Sequence, residues 1–227
     1  MAAAEPVTVG TAVVAYVEPH AGLAREFNEW YERDHFYAAA MAGPGMYAGA
    51  RWVATRAHKR ARPAGTLFGD PGRGSYLATY WVLPGMQAEW EEWSARTYAA
   101  LPPERLFAGR DHLHTAVYRH AWDRRTADAP VPATALDHPF GGVAVVAATD
   151  PALVADWAGS VLSEQVPLVV GFERQRVVMA SAVAPDHVLA IAFCRGDALA
   201  VALPPDAGFA SAFVRTVPGT DRYVDDL

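Results

Sequence analysis

The chain has 227 residues, 52% hydrophobic and 19% charged, with a formal net charge of −6. That balance predicts an ordered protein with a sizeable core and excludes disorder, and the acidic charge argues against a nucleic-acid partner. The single cysteine, Cys194, excludes an intrachain disulfide and a multi-cysteine metal site. It sits in an apolar run and reads as a small buried hydrophobe. Residues 1–6 lack the basic start of a signal peptide, and no apolar run approaches the roughly 18 residues of a membrane span. A cytoplasmic protein is expected.

Residues 7–18 are β-branched and apolar between Pro6 and Pro19, which predicts a strand. Residues 22–40 read as a helix, with Phe27, Trp30, Tyr31 and Asp34 recurring at three- and four-residue steps. Gly43-Pro44-Gly45 stops it. Strands follow at 47–55 and 75–83, separated by a long loop, 56–74, that ends in a Gly-rich stretch read as a mobile lid. A helix at 86–100 carries Trp90, Trp93 and Thr97 on one stripe, and a fourth strand covers 112–122. Residues 123–138, rich in Pro, Ala and Asp, read as a linker.

The second half shows the same order. A strand at 142–148 precedes a helix opened by Asp150-Pro151. Strands follow at 172–181 and 187–194. Residues 197–203 and 207–214 read as helical pieces, and 218–227 as a last short strand or an edge cover. Each half is β-α-β-β-α-β. The predicted fold class is α+β, with two tandem ferredoxin-like domains (7–122 and 139–227) whose sheets pack face to face as a pseudo-dimeric α/β barrel.

Several residues could carry chemistry. His35 lies one helical turn after Tyr31, so the two can neighbour each other, and an imidazole can serve as general base or acid. Strand alternation places His112, His114, Tyr118 and His120 on one face. His112-x-His114 has ligand spacing, which His35, Asp34 or Asp111 could complete, but the pattern alone is a weak metal signal. Arg51 and Tyr80 interrupt apolar strands, and Arg51 could pair with a substrate anion. Trp52 and Trp81 suit either the core or an aromatic wall. The basic run 56–62 suits a solvated loop, or a site for a phosphate, an acyl-carrier partner or coenzyme A.

The segment Phe27-Asn-Glu-Trp30-Tyr31-Glu-Arg-Asp34-His35, followed by Pro44-Gly45 and Arg51-Trp52, resembles the EthD-like members of the dimeric α/β barrel superfamily. The resemblance covers residues 7–122. The second half matches in element order only, with Glu164-Gln165 in place of Asp34-His35, so its pocket is expected to be degenerate. The resemblance implies a ligand cavity inside the barrel or between sheet and helices.

The function expected is a small-molecule enzyme without a bound cofactor, performing cyclisation, dehydration, decarboxylation or isomerisation on an aromatic or polyketide-like compound. His35, Tyr31, His114, Tyr118 and Arg51 are the candidate catalytic residues. Tyr80, Trp52, Trp81 and Asp34 are the candidate substrate contacts. An oxidative enzyme using dioxygen with or without haem, its ligand then His35 or His114, and a non-catalytic accessory protein are the alternatives, with a carrier protein or a second copy of the chain as further partners.

Overall fold

The computed structural model describes residues 6–180 and 184–227. The first five residues, part of the stretch without a basic start, and Ser181, the expected end of a strand, lie outside them. Eight strands form one closed antiparallel barrel in the order β1-β3-β2-β8-β5-β7-β6-β4. They are β1 (Thr11–Pro19), β2 (Met46–Val53), β3 (Tyr76–Val82), β4 (Arg110–Arg125), β5 (Gly142–Ala148), β6 (Leu168–Ala180), β7 (Val188–Cys194) and β8 (Phe209–Arg215). Each half supplies four neighbouring strands. The halves meet where β4 pairs with β6 and β2 with β8, so no sheet edge is left open.

Alternation along each strand divides the core in two. Inward residues such as Val14, Tyr16, Trp52, Trp81, Phe172, Phe193 and Phe213 fill the barrel. Outward residues of the first half pack under α1 (Ala24–Trp30), the helix that continues it, and α3 (Gln87–Ala100). Those of the second half pack under α4 (Pro151–Val161), whose N-cap Asp150 accepts from the Ala152 amide at 2.9 Å with Pro151 in the first turn.

Three sequence expectations change. The stretch 207–214 holds strand β8 (Phe209–Arg215), not a helix. Its alanines suggested helix, yet Phe209, Ser211 and Phe213 alternate with Ala210 and Ala212, and the phenylalanines point into the barrel. Residues 197–203 hold only the short turn Ala198–Ala200, so the second half lacks its second helix. Strand β4 continues through Arg125 into the stretch read as linker, because Asp123, Arg124 and Arg125 pair with Val170, Val169 and Leu168.

The stretch 56–74 opens with α2 (Arg56–Arg60) and then crosses one end of the barrel. It is pinned, not a free lid. Arg62 donates to Ser211 Oγ at 2.7 Å and to the carbonyls of Pro71 and Gly74 at 2.9 and 2.7 Å. Gly74 has φ +93°, and a Cβ there would lie 1.9 Å from the Tyr16 ring. Arg56 binds the Asp225 carbonyl and Lys59 binds Ser75, so much of the basic run is engaged within the chain. The tail neither adds a strand nor covers an edge. It folds back on α1, where Asn28 donates to the Thr220 carbonyl at 3.1 Å.

Candidate active site

The helix after β1 changes pitch. From Tyr31 to Met41 it is a π-helix, closed by a bond from the Ala42 amide to the Tyr37 carbonyl, five residues back, at 2.8 Å. Wider turns bring residues five apart together. The Trp30 and His35 rings stack with centroids 4.5 Å apart, and Tyr31 meets His35 edge-on at 4.9 Å. The imidazole is thereby aimed at the outer face of the first-half sheet.

Strand β4 meets it with a bulge. Tyr16 pairs with His114 and Val17 with His112, so Leu113 is the extra residue. A bulge breaks strand alternation. His112 therefore faces outward toward His35 while His114 and Tyr118 face into the barrel, which corrects the one-face reading of the four residues. It also separates the two histidines of the H-x-H pair. Among the described residues, no group of three or more His, Cys, Asp or Glu is placed to hold a metal ion.

Between sheet, π-helix and α3 lies a cavity of about 100 Å³. Tyr31, Tyr80, His35, His112 and Arg110 supply its polar lining, with Ser94, Thr97 and Tyr98 toward α3. Val13, Ala15, Ala40, Val178 and Met179 make apolar walls, and among the described residues no carboxylate lines it. The Arg110 guanidinium lies 4.5 Å from the Trp30 ring centre, donates to the Phe107 carbonyl, and donates through Nε to His112 Nε2 at 3.2 Å. That bond leaves the His112 proton on Nδ1, which donates to Thr115 Oγ1 at 2.9 Å.

These surroundings set the protonation states. Burial first, then Arg110 and His112, push the His35 imidazole down to about 3. Burial and Arg110 push His112 down to about 4. Both are neutral at physiological pH. The Tyr31 and Tyr80 hydroxyls lie 2.6 Å apart, and burial raises both phenols, so each keeps its proton. With Tyr80 donating to Tyr31, the Tyr31 hydrogen is left for a ligand.

Of the residues proposed from sequence, the fold brings His35, Tyr31 and Tyr80 to one cavity. The others go elsewhere. Arg51 is buried in a separate cleft of about 520 Å³, where it donates to Asn28 and Glu32 at 3.0 and 3.1 Å and lies 4.3 Å from the Tyr31 ring centre. Asp34 turns to the surface and pairs with Arg105, which holds its carboxyl below the usual range. Trp52 and Trp81 are core residues inside the barrel, their indoles donating to Thr79 Oγ1 and the Pro132 carbonyl. His114 and Tyr118 lie there too, bonded to each other at 2.7 Å. His120 is half-buried near Asp123. Arg110 was missed. It stands two residues before His112 on an unbulged stretch, so the same alternation rule places the two together.

No family model matches the chain, and no curated protein matches it. Among solved structures it is similar to an anthrone oxidase-like protein at 10% identity, covering 93% of this chain and 95% of that one, with a TM-score of 0.48. It is similar also to a monooxygenase candidate from Fusobacterium nucleatum (8% identity, 92% and 93% covered, TM-score 0.48) and to another from Lactobacillus acidophilus (9%, 92% and 94%, 0.43).

Proposed function

We propose that the chain is an enzyme that takes a proton from a small, partly apolar molecule and holds the resulting oxyanion against Arg110. The observation that carries this reading is the cation itself: Arg110 lines a cavity to which no carboxylate among the described residues contributes. An unmatched guanidinium in a partly dry cavity stabilises negative charge that develops there far better than water does. His35, kept free of a proton by burial and by Arg110, is the base. As charge forms on the substrate oxygen, the anion offsets Arg110 and raises the proton affinity of the imidazole at the moment of transfer. Tyr31 donates its remaining hydrogen to the same oxygen. The resemblance of residues 27–35 to EthD-like helices supports this use of His35. Cyclisation, dehydration, decarboxylation and isomerisation can each proceed from such an anion without a bound cofactor.

The apolar walls favour a second, oxidative outcome. In it the carbanion form of the anion adds to dioxygen, which is apolar and enters such a cavity readily. Carbon is oxidised, dioxygen is reduced to the hydroperoxide level, and the proton held on His35 completes the hydroperoxide. Oxygen uptake matched one-to-one with substrate loss distinguishes this outcome from proton transfer alone.

The test uses 4-nitrophenol, whose anion absorbs visible light. Protein in excess should shift its ionisation to lower pH, and Arg110→Gln should abolish the shift. Binding without a shift, or a shift unchanged in Arg110→Gln, rules out the oxyanion role. With a substrate in hand, the same variant should lose about 10²–10³-fold in kcat, the usual cost of one oxyanion donor.

A further inference from the structure

The barrel interior holds a second set of titratable groups that this chemistry does not use. His114, Tyr118 and His187 are 1%, 0% and 5% exposed. The Tyr118 hydroxyl lies 2.7 Å from His114 Nε2 and 2.8 Å from His187 Nε2, and His187 Nδ1 lies 2.7 Å from the Pro185 carbonyl. One arrangement of protons satisfies the chain. A carbonyl only accepts, so His187 Nδ1 carries its proton and Nε2 is a bare lone pair. Tyr118 donates to that lone pair and accepts from His114 Nε2–H. His114 Nδ1 is then an acceptor, and it has no partner among the described residues.

We infer that Tyr118 is a redox-active tyrosine whose proton acceptor is His187. A one-electron oxidant of the peroxyl-radical class takes an electron from the phenol, and the phenol proton moves to His187 Nε2. Tyr118 becomes a neutral tyrosyl radical, His187 becomes imidazolium, and the peroxyl radical, reduced to its anion, takes a proton from water to become a hydroperoxide, leaving hydroxide in the solvent. A buried phenol cannot lose an electron alone without leaving an uncompensated charge in the core. The adjacent lone pair takes the strongly acidic proton of the oxidised phenol, so the charge that remains sits on the His187 imidazolium, whose Nδ1 donates to the Pro185 carbonyl.

Among the described residues, three other buried tyrosines have their hydroxyls bonded to groups that are poor proton acceptors. Tyr16 donates to the Arg73 carbonyl at 2.6 Å, which cannot hold the proton, and Tyr31 and Tyr80 face each other. Burial raises Tyr118 well above the ordinary phenol range, so the proton is present to be transferred. The approach is aromatic. Trp81 and Tyr118 are both in register with Ala12, on the strands either side of it, so their backbones lie about 10 Å apart, two strand spacings. Phe68 stacks on His114 at 4.0 Å and shields the group from water. The outer face of the same strand, at His112 and Thr115, lines the proposed active site, so Tyr118 is one sheet-thickness from it.

The experiment is photo-oxidation of the full chain by ruthenium(II) tris-bipyridine with persulfate, freeze-trapped and read by EPR. The wild type should give a neutral tyrosyl signal. Tyr118→Phe, which keeps the ring, should lose it, and His187→Gln should divert oxidation to tryptophan. High-field EPR of the wild type is an independent readout that needs no variant. A tyrosyl oxygen bonded to an imidazolium has a lowered gx. A wild type without a tyrosyl signal, a signal undiminished in Tyr118→Phe, or a gx typical of an unbonded tyrosyl would each overturn the assignment.

Discussion

In the proposed reaction Arg110, from β4, and Tyr31, from the π-helix, hold the substrate oxygen while His35, on the same helix, takes the proton, and each role can be separated by substitution. His35→Gln should lower kcat/KM by about 10²–10⁴-fold, the usual share of a positioned base. The pH profile adds a sharper check. Because His35 is held down to about 3, kcat/KM of the wild type should show no acid limb near 6.5, where an ordinary histidine titrates. A limb at 6.5 that disappears in His35→Gln would show an imidazole in water, not one desolvated beside Arg110. Tyr31→Phe should have a smaller effect than either, because Arg110 remains to hold the charge.

At the scale of elements, the π-helix and the bulged strand build the site, and the loop 56–74 closes the barrel. Phe68 on that loop is buried against His114 and Phe209. Phe68→Ala should cost about 3–5 kcal/mol in denaturant unfolding, by loss of burial plus the cavity left behind. Gly74→Ala should also destabilise, because an L side chain resists φ +93° and the new Cβ meets the Tyr16 ring. The sequence pattern made the seven other strands, α3 and α4 legible, since their periods are plain. The neighbouring of Tyr31 and His35 was legible for the same reason. What escaped were the departures from period. A single inserted residue at Leu113 reverses which way His112 faces, and no local propensity marks it. Alanines at 207–214 favour helix in isolation, and only the partners on β5 select a strand there. Arg51 stands out in sequence as a charge in an apolar strand, and what the sequence does not show is that Glu32 pairs with it and Asn28 accepts from it, at the edge of a separate cleft.

For the whole molecule, the buried imidazoles couple stability to pH. His35 and His114 are depressed to about 3 and His112 to about 4, each mainly by burial. Unfolded, each would take up a proton near 6.5. Below that pH the unfolded chain binds protons that the folded chain refuses, so stability is complete above about 6.5 and is lost as pH falls toward 4. Tm should therefore drop between pH 7 and pH 4.5, above the range where carboxylates such as Asp34 protonate. His112→Asn should flatten the drop, and a Tm level across that window would mean the imidazoles are hydrated.

Closure of the barrel within one chain has a consequence for mass action. The contacts that join its halves, β4 with β6 and β2 with β8, are made between segments tethered to one another. A barrel assembled from two separate subunits comes apart on dilution, and its unfolding midpoint follows protein concentration. Here the tether fixes the effective concentration of one half around the other. The unfolding midpoint should hold constant from nanomolar to micromolar protein, and the two helical faces are free to differ, because neither must match a copy of itself.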